Sequence, residues 1–204
     1  MNFPPFYDQA PVVATHDALA ELLGASEGGL LEYRYADAVL VAGHSCPTVA
    51  GAFLMARAAM AALYPDGPAE RGNIRVEMPA PAHHGTTGVI AQVLTLLTGA
   101  AADNGFQGIA GRHARNGLLV FAGRPGADEV IFRRIDTGAA VAVQLDVSGV
   151  PGHPQTRSLL GAILQDQADD QQRAAFAAGW QERVEKLLLQ YANDPEVIRV
   201  AHLN

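Results

Sequence analysis

Pro47 constrains this chain more than any other residue. A proline ring holds φ at about −65°, suits the first turn of a helix and pushes the preceding residue into extended backbone. The preceding residue is Cys46, the only cysteine in the 204-residue chain. After it, over residues 47–63, Val49, Phe53, Met60 and Leu63 keep helical spacing with alanines between them. The stretch "AGHSCPTVAG", residues 42–51, therefore reads as extended chain delivered to a helix N-terminus, with Cys46 as the N-cap. Side chains two apart in extended chain share a direction, so His44 and Cys46 are expected to project together, after a turn that Gly43 permits.

The rest of the chain alternates helical and strand signals. Residues 1–14 read as an irregular proline-rich arm. "THDALAELLGAS" reads as a helix capped by Thr15, and "YADAVLVAG" as a short helix or strand. "NIRVEM" alternates as a strand does, with Ile74, Val76 and Met78 on one side. "GVIAQVLTLLTGA" is an apolar helix ended near Gly99, and residues 99–117 form a long glycine-rich loop. "LLVFAG", "EVIFRR" and "AAVAVQLD" are strands, the first two separated by the turn "RPGAD". The last part carries helices, with Phe176, Trp180, Val184, Leu187, Leu188 and Tyr191 as one apolar stripe. This order predicts an α+β fold, a mixed or antiparallel sheet packed against helices. The expected division is a domain over 1–153 and a helical extension over 154–204, packing on the domain or across a homodimer.

Charge and composition exclude some classes. A formal net charge of −7 with no basic cluster argues against nucleic-acid binding. No apolar run is long enough to span a bilayer, and the opening residues lack a basic and an apolar region of a signal peptide, so a cytoplasmic protein off the membrane is expected. One cysteine excludes an intrachain disulfide and any four-cysteine zinc site.

The chemistry centres on Cys46. The amides and dipole of a helix N-terminus favour thiolate, the form that binds metal or attacks an electrophile. A lone buried cysteine is ordinarily a small hydrophobe, but His44, Gly43 and Pro47 together single this one out. Two donors make half a zinc site, which needs four. His83 and His84, just before the apolar helix, and His113, in the glycine-rich loop, are the other candidate ligands, with His113 in reserve. Asp37, Glu77 and Asp103 are expected to be solvated or capping rather than ligating.

"GHSCPTVAG" followed by an alanine-rich helix resembles the "GHxCPG" opening of the formylmethanofuran dehydrogenase E-subunit (FmdE-like) family, and the order of elements over residues 15–148 is similar. The resemblance implies an α+β domain, often dimeric, with a metal such as zinc at the His-x-Cys turn, and so His44 and Cys46 as ligands. The chain departs from the pattern at Thr48, where the family has glycine. It also has Thr86 and Val89, and then Arg112 and His113, where the family has further cysteine or aspartate, and it has no C-terminal cysteine ribbon. A site richer in nitrogen follows, suited to zinc or another transition metal. Two further readings stand beside it: a haem protein using the Cys-Pro thiolate or a histidine as axial ligand, and a metal-free enzyme with Cys46 as nucleophile and His44 or His83 as base. The small-molecule substrate of any such enzyme stays unnamed by the sequence.

Overall fold

The N-terminal arm is more ordered than its prolines suggest. In the computed structural model, which describes residues 2–121 and 127–203, a 3-10 turn over Pro5–Gln9 buries Phe6 and Tyr7. Strand β1 (Val13–His16) follows. Thr15 is thus a fully buried strand residue opposite Leu31 and Ala69, not a helix cap. The cap of α1 (Ala18–Leu22) is Asp17, whose carboxylate accepts from the Leu19 and Ala20 amides. Strands β2 (Leu30–Tyr33) and β3 (Ala69–Glu70) flank β1 in a three-stranded sheet, antiparallel on one side and parallel on the other.

Helix α2 (Tyr35–Ala42) ends in left-handed backbone at Gly43. The chain then runs extended through Cys46 into α3 (Pro47–Leu63), as Pro47 predicts. Val49, Ala50, Ala52, Phe53, Leu54, Met55, Ala56 and Ala59 of α3 are all buried. A helix apolar nearly all round belongs in a core, and α3 packs against α2, against α4 (Thr87–Thr98) and against the sheet and C-terminal helix described next. Gly51 permits the closest approach, because a β-carbon there would lie 2.3 Å from Leu145 of the sheet.

The main sheet contains β4 (Ile74–Met78), β5 (Leu119–Phe121), β6 (Val130–Arg134), β7 (Ala140–Leu145) and β8 (Ile198–Leu203) in the order β5-β4-β6-β7-β8. The β4–β5 pair is parallel and the others antiparallel, so the sheet is mixed and the fold is α+β. In the expected turn between β5 and β6, residues 124–126 lie outside the described residues. Helices α5 (Thr156–Leu164) and α6 (Asp170–Leu189) carry the C-terminal segment back over α3. Within the apolar stripe, Val184, Leu187 and Leu188 are fully buried in the chain, while Trp180 and Tyr191 pack at the margin of the core. The segment is not helical to its end: β8 pairs with β7 from Ala140↔Leu203 to Leu145↔Ile198. Among the described residues no helix is long and apolar enough to cross a membrane.

Candidate functional site

Cys46 caps α3 as the proline rule requires, with φ −154° and ψ 168° and its sulfur accepting the Val49 N–H at 3.5 Å. Its side chain sits at the edge of the core, 9% exposed, whereas His44 is exposed. The two meet: His44 Nε2 lies 3.4 Å from Cys46 Sγ. On the other side of the ring, Nδ1 lies 2.9 Å from the Ala42 carbonyl. A carbonyl only accepts, so Nδ1 carries the proton, and in the neutral ring Nε2 presents its lone pair to the sulfur.

That geometry suits two chemistries. Zinc holds sulfur at about 2.3 Å and imidazole nitrogen at about 2.0–2.1 Å, and at a tetrahedral angle two such donors stand about 3.5 Å apart. An imidazole donating its second N–H to a backbone carbonyl is also the usual arrangement behind a metal ligand. The same 3.4 Å suits a thiol donating to an imidazole.

The residue between the two donors anchors them. Ser45 Oγ donates to Gln181 Oε1 at 3.0 Å and lies 2.9 Å from the Tyr35 hydroxyl, which is left as the donor. The Ser45 carbonyl accepts from Trp180 Nε1 at 3.0 Å and from Gln181 Nε2 at 3.4 Å. The Tyr7 hydroxyl donates to Gln181 Oε1 at 3.4 Å. Burial raises the pKa of both Tyr7 and Tyr35 above the ordinary phenol value, so both remain protonated donors at neutral pH. The turn is thus held from the N-terminal arm, from α2 and from α6. Sequence reasoning passed over Ser45, Tyr7, Tyr35 and Gln181. The only local hint was that Trp180 and Gln181 follow the one glycine of α6, Gly179, where a β-carbon would meet His153 at 2.8 Å.

The remaining predicted donors do not join these two in a group of three among the described residues. His83 and His84 occupy an exposed turn ahead of α4, in which the His84 N–H bonds the Pro81 carbonyl. His113 is half-buried with φ 58°. Among the described residues no three His, Cys, Asp or Glu side chains are grouped so as to hold a metal, so these imidazoles are not gathered onto His44 and Cys46. Of the carboxylates, Asp37 accepts the Arg34 N–H at 2.7 Å at the start of α2, and Glu77 lies 3.6 Å from Arg75 and 4.0 Å from Arg133.

A second polar cluster, unforeseen, forms around Asp17. Asp17, 2% exposed, accepts Arg115 Nη2 at 2.6 Å on one oxygen and Arg71 Nη1 at 2.8 Å on the other. Arg71 also donates to the Leu96 carbonyl through Nε and Nη2, and Arg115 Nη1 donates to the Arg71 carbonyl at 2.6 Å. Burial pushes the Asp17 carboxyl up, but the two guanidinium groups and the Ala20 amide outweigh it and hold its pKa below the ordinary value. Beside it, His16 Nδ1 lies 2.8 Å from both Glu70 oxygens and Nε2 lies 3.3 Å from Glu21. The Glu70 hydrogen bond raises the His16 pKa.

No curated protein matches the chain. One solved structure similar to it is that of a tungsten formylmethanofuran dehydrogenase FmdE-like protein from Syntrophus aciditrophicus, at 18% identity over 84% of this chain and 73% of that one, with a TM-score of 0.43. A family model described as "FmdE, Molybdenum formylmethanofuran dehydrogenase operon" matches residues 41–198, which take in the His44–Cys46 turn, the main sheet up to the start of β8, and α6. By that match the chain belongs to the FmdE family.

Proposed function

We propose that the His44–Cys46 turn is a transition-metal half-site, with zinc the first expectation. The observation that carries this reading is the His44 ring: one nitrogen is fixed on the Ala42 carbonyl and the other stands at ligand spacing from Cys46 Sγ. When bound, such a metal polarises an oxygen of a substrate or of water. The chain's own contribution is to fix the imidazole tautomer, to direct an amide at the sulfur and to hold the turn rigid through Ser45. A tetrahedral site needs further donors. The exposed imidazoles His83 and His84, His113 behind them, and a second copy of the chain in a homodimer are the sources this reading draws on.

Elemental analysis of tag-free protein tests it. Stoichiometric metal is expected in the parent chain and a sharp loss in both Cys46→Ser and His44→Ala. Full metal content in both variants overturns the half-site. Sedimentation of the loaded protein separates an intrachain site from one shared between copies. A Soret band would assign the cofactor as haem.

The same Nε2–Sγ contact supports a second reading, a metal-free thiol nucleophile with His44 as its base. Here the parent chain is metal-free, and His44→Ala slows alkylation of Cys46 by iodoacetamide. An unchanged alkylation rate rejects this reading.

A further inference from the structure

Pro47 does more than open α3. Its ring forms one wall of a cavity of ≈ 350 Å³, towards the small end of the usual range for small-molecule sites. The C-terminal segment provides the other walls, chiefly His153, Arg157, Leu160, Trp180 and Arg183. No acidic residue lines the cavity, in a chain with a net charge of −7.

The guanidinium groups are the telling feature. Arg183 is half-buried and is fixed by donating Nε to the Val150 carbonyl at 3.1 Å and Nη2 to the Val147 carbonyl at 2.7 Å. It has no carboxylate partner among the described residues, so its charge is held in place without a counter-ion. The Arg157 side chain makes no hydrogen bond or ion pair among the described residues. Glu182, the neighbour of Arg183 in sequence, is paired with Lys186 at 2.6 Å. Charges of one sign around a concave wall favour an anion, and the planar guanidinium fork matches a carboxylate.

Beside His153 and Thr156, the rest of the lining is apolar. Trp180 is positioned in advance: its Nε1 is tied to the Ser45 carbonyl at 3.0 Å, and Phe176 packs on its ring at 5.6 Å. Pro47 and Leu160 complete an apolar surface around it. A pre-fixed ring needs little further ordering when a ligand stacks on it.

We propose that this cavity binds a small aryl carboxylate, with its carboxylate towards Arg157 and Arg183 and its ring on Trp180. The site is independent of the metal reading and forms without metal. Because Pro47 follows Cys46 directly and Trp180 bonds to Ser45, the bound ring lies against the same turn that carries His44 and Cys46.

Trp180 is the only tryptophan in the chain, so its fluorescence reports this wall alone. The test titrates metal-free protein with 4-nitrobenzoate, a stacking quencher, with neutral 4-nitrobenzamide and inorganic phosphate as the other arms. Saturable quenching by the carboxylate is expected, with the amide about tenfold weaker or more, as for loss of one charge-assisted contact. Arg157→Gln, an exposed position, weakens the carboxylate about tenfold and leaves the amide unchanged. Phosphate leaves the quenching in place. Equal affinity for carboxylate and amide, unaltered carboxylate affinity in Arg157→Gln, or displacement by phosphate as effectively as by unlabelled benzoate would each overturn the proposal.

Discussion

The Asp17 cluster and the His44–Cys46 turn are both polar, both set at a helix N-terminus and both built from residues distant in sequence. They differ in how much valence they leave over. At Asp17 each carboxylate oxygen faces a guanidinium, and both arginines also bond backbone carbonyls; of these side chains only Arg115 Nε is buried without a partner among the described residues. At the turn, Ser45 is saturated by the side chains of Tyr35, Trp180 and Gln181, while its neighbours present a bare imidazole nitrogen and a thiol to each other. The first arrangement commits its groups to holding the fold. The second commits the middle residue to rigidity and leaves the outer two free for chemistry. Burial and charge do not distinguish the two arrangements; the bonding capacity left on His44 and Cys46 beside a saturated Ser45 does.

Substitutions sharpen this contrast. The largest effect is expected from Asp17→Asn, which keeps a good helix cap but strands Arg71 and Arg115. Removing one partner of a buried ion pair costs about 3–5 kcal/mol, and urea unfolding should show a loss of that order with metal content per folded chain unchanged. A loss below about 1 kcal/mol would mean that the cluster is better solvated than its geometry indicates. Next comes Gln181→Ala, which removes both of that side chain's bonds to Ser45. Stability should fall by about 1 kcal/mol. Zinc affinity, measured by competition with a chelator, should fall about 10–100-fold, as for a group that orients a ligand. An unchanged affinity would show that Ser45 does not orient the donors.

The smallest effect concerns His16. Its pKa is raised in the folded state by Glu70, so its stabilisation is fully present below the unfolded value of about 6.5 and is lost as pH rises through the higher folded value. His16→Asn should therefore destabilise by at most about 1 kcal/mol at pH 6 and by almost nothing at pH 9. A penalty that grows with pH would reverse the sign of this linkage.

Much of the frame was legible in the sequence because its signals are local. Alternation marks β4, and Pro47 marks both the start of α3 and the extended Cys46. Thr15 misleads because threonine and aspartate are both good caps; only pairing with Leu31 and Ala69 makes Thr15 a strand residue and passes the cap to Asp17. The hidden parts are those whose partners are far away. Arg71 and Arg115 carry no local mark of their shared carboxylate. Ser45 looks like a spacer, and β8 lacks the apolar alternation of the inner strands because it is mostly exposed, with Ile198 its one buried residue. His44 and Cys46 are legible because extended backbone aligns neighbours two apart; His83, His84 and His113 could only be gathered by tertiary contacts, and among the described residues they form no group of three donors.

The bond from Trp180 to Ser45 spans 135 residues. In kinetic terms it closes one of the longest loops in the chain, and contacts of that separation form only after the intervening segments have been brought together. The helix start and the extended Cys46 rest on local backbone signals, whereas the anchoring of the turn through Ser45 rests on this distant contact. The anchoring of the His44–Cys46 turn therefore depends on a contact that only the finished fold supplies.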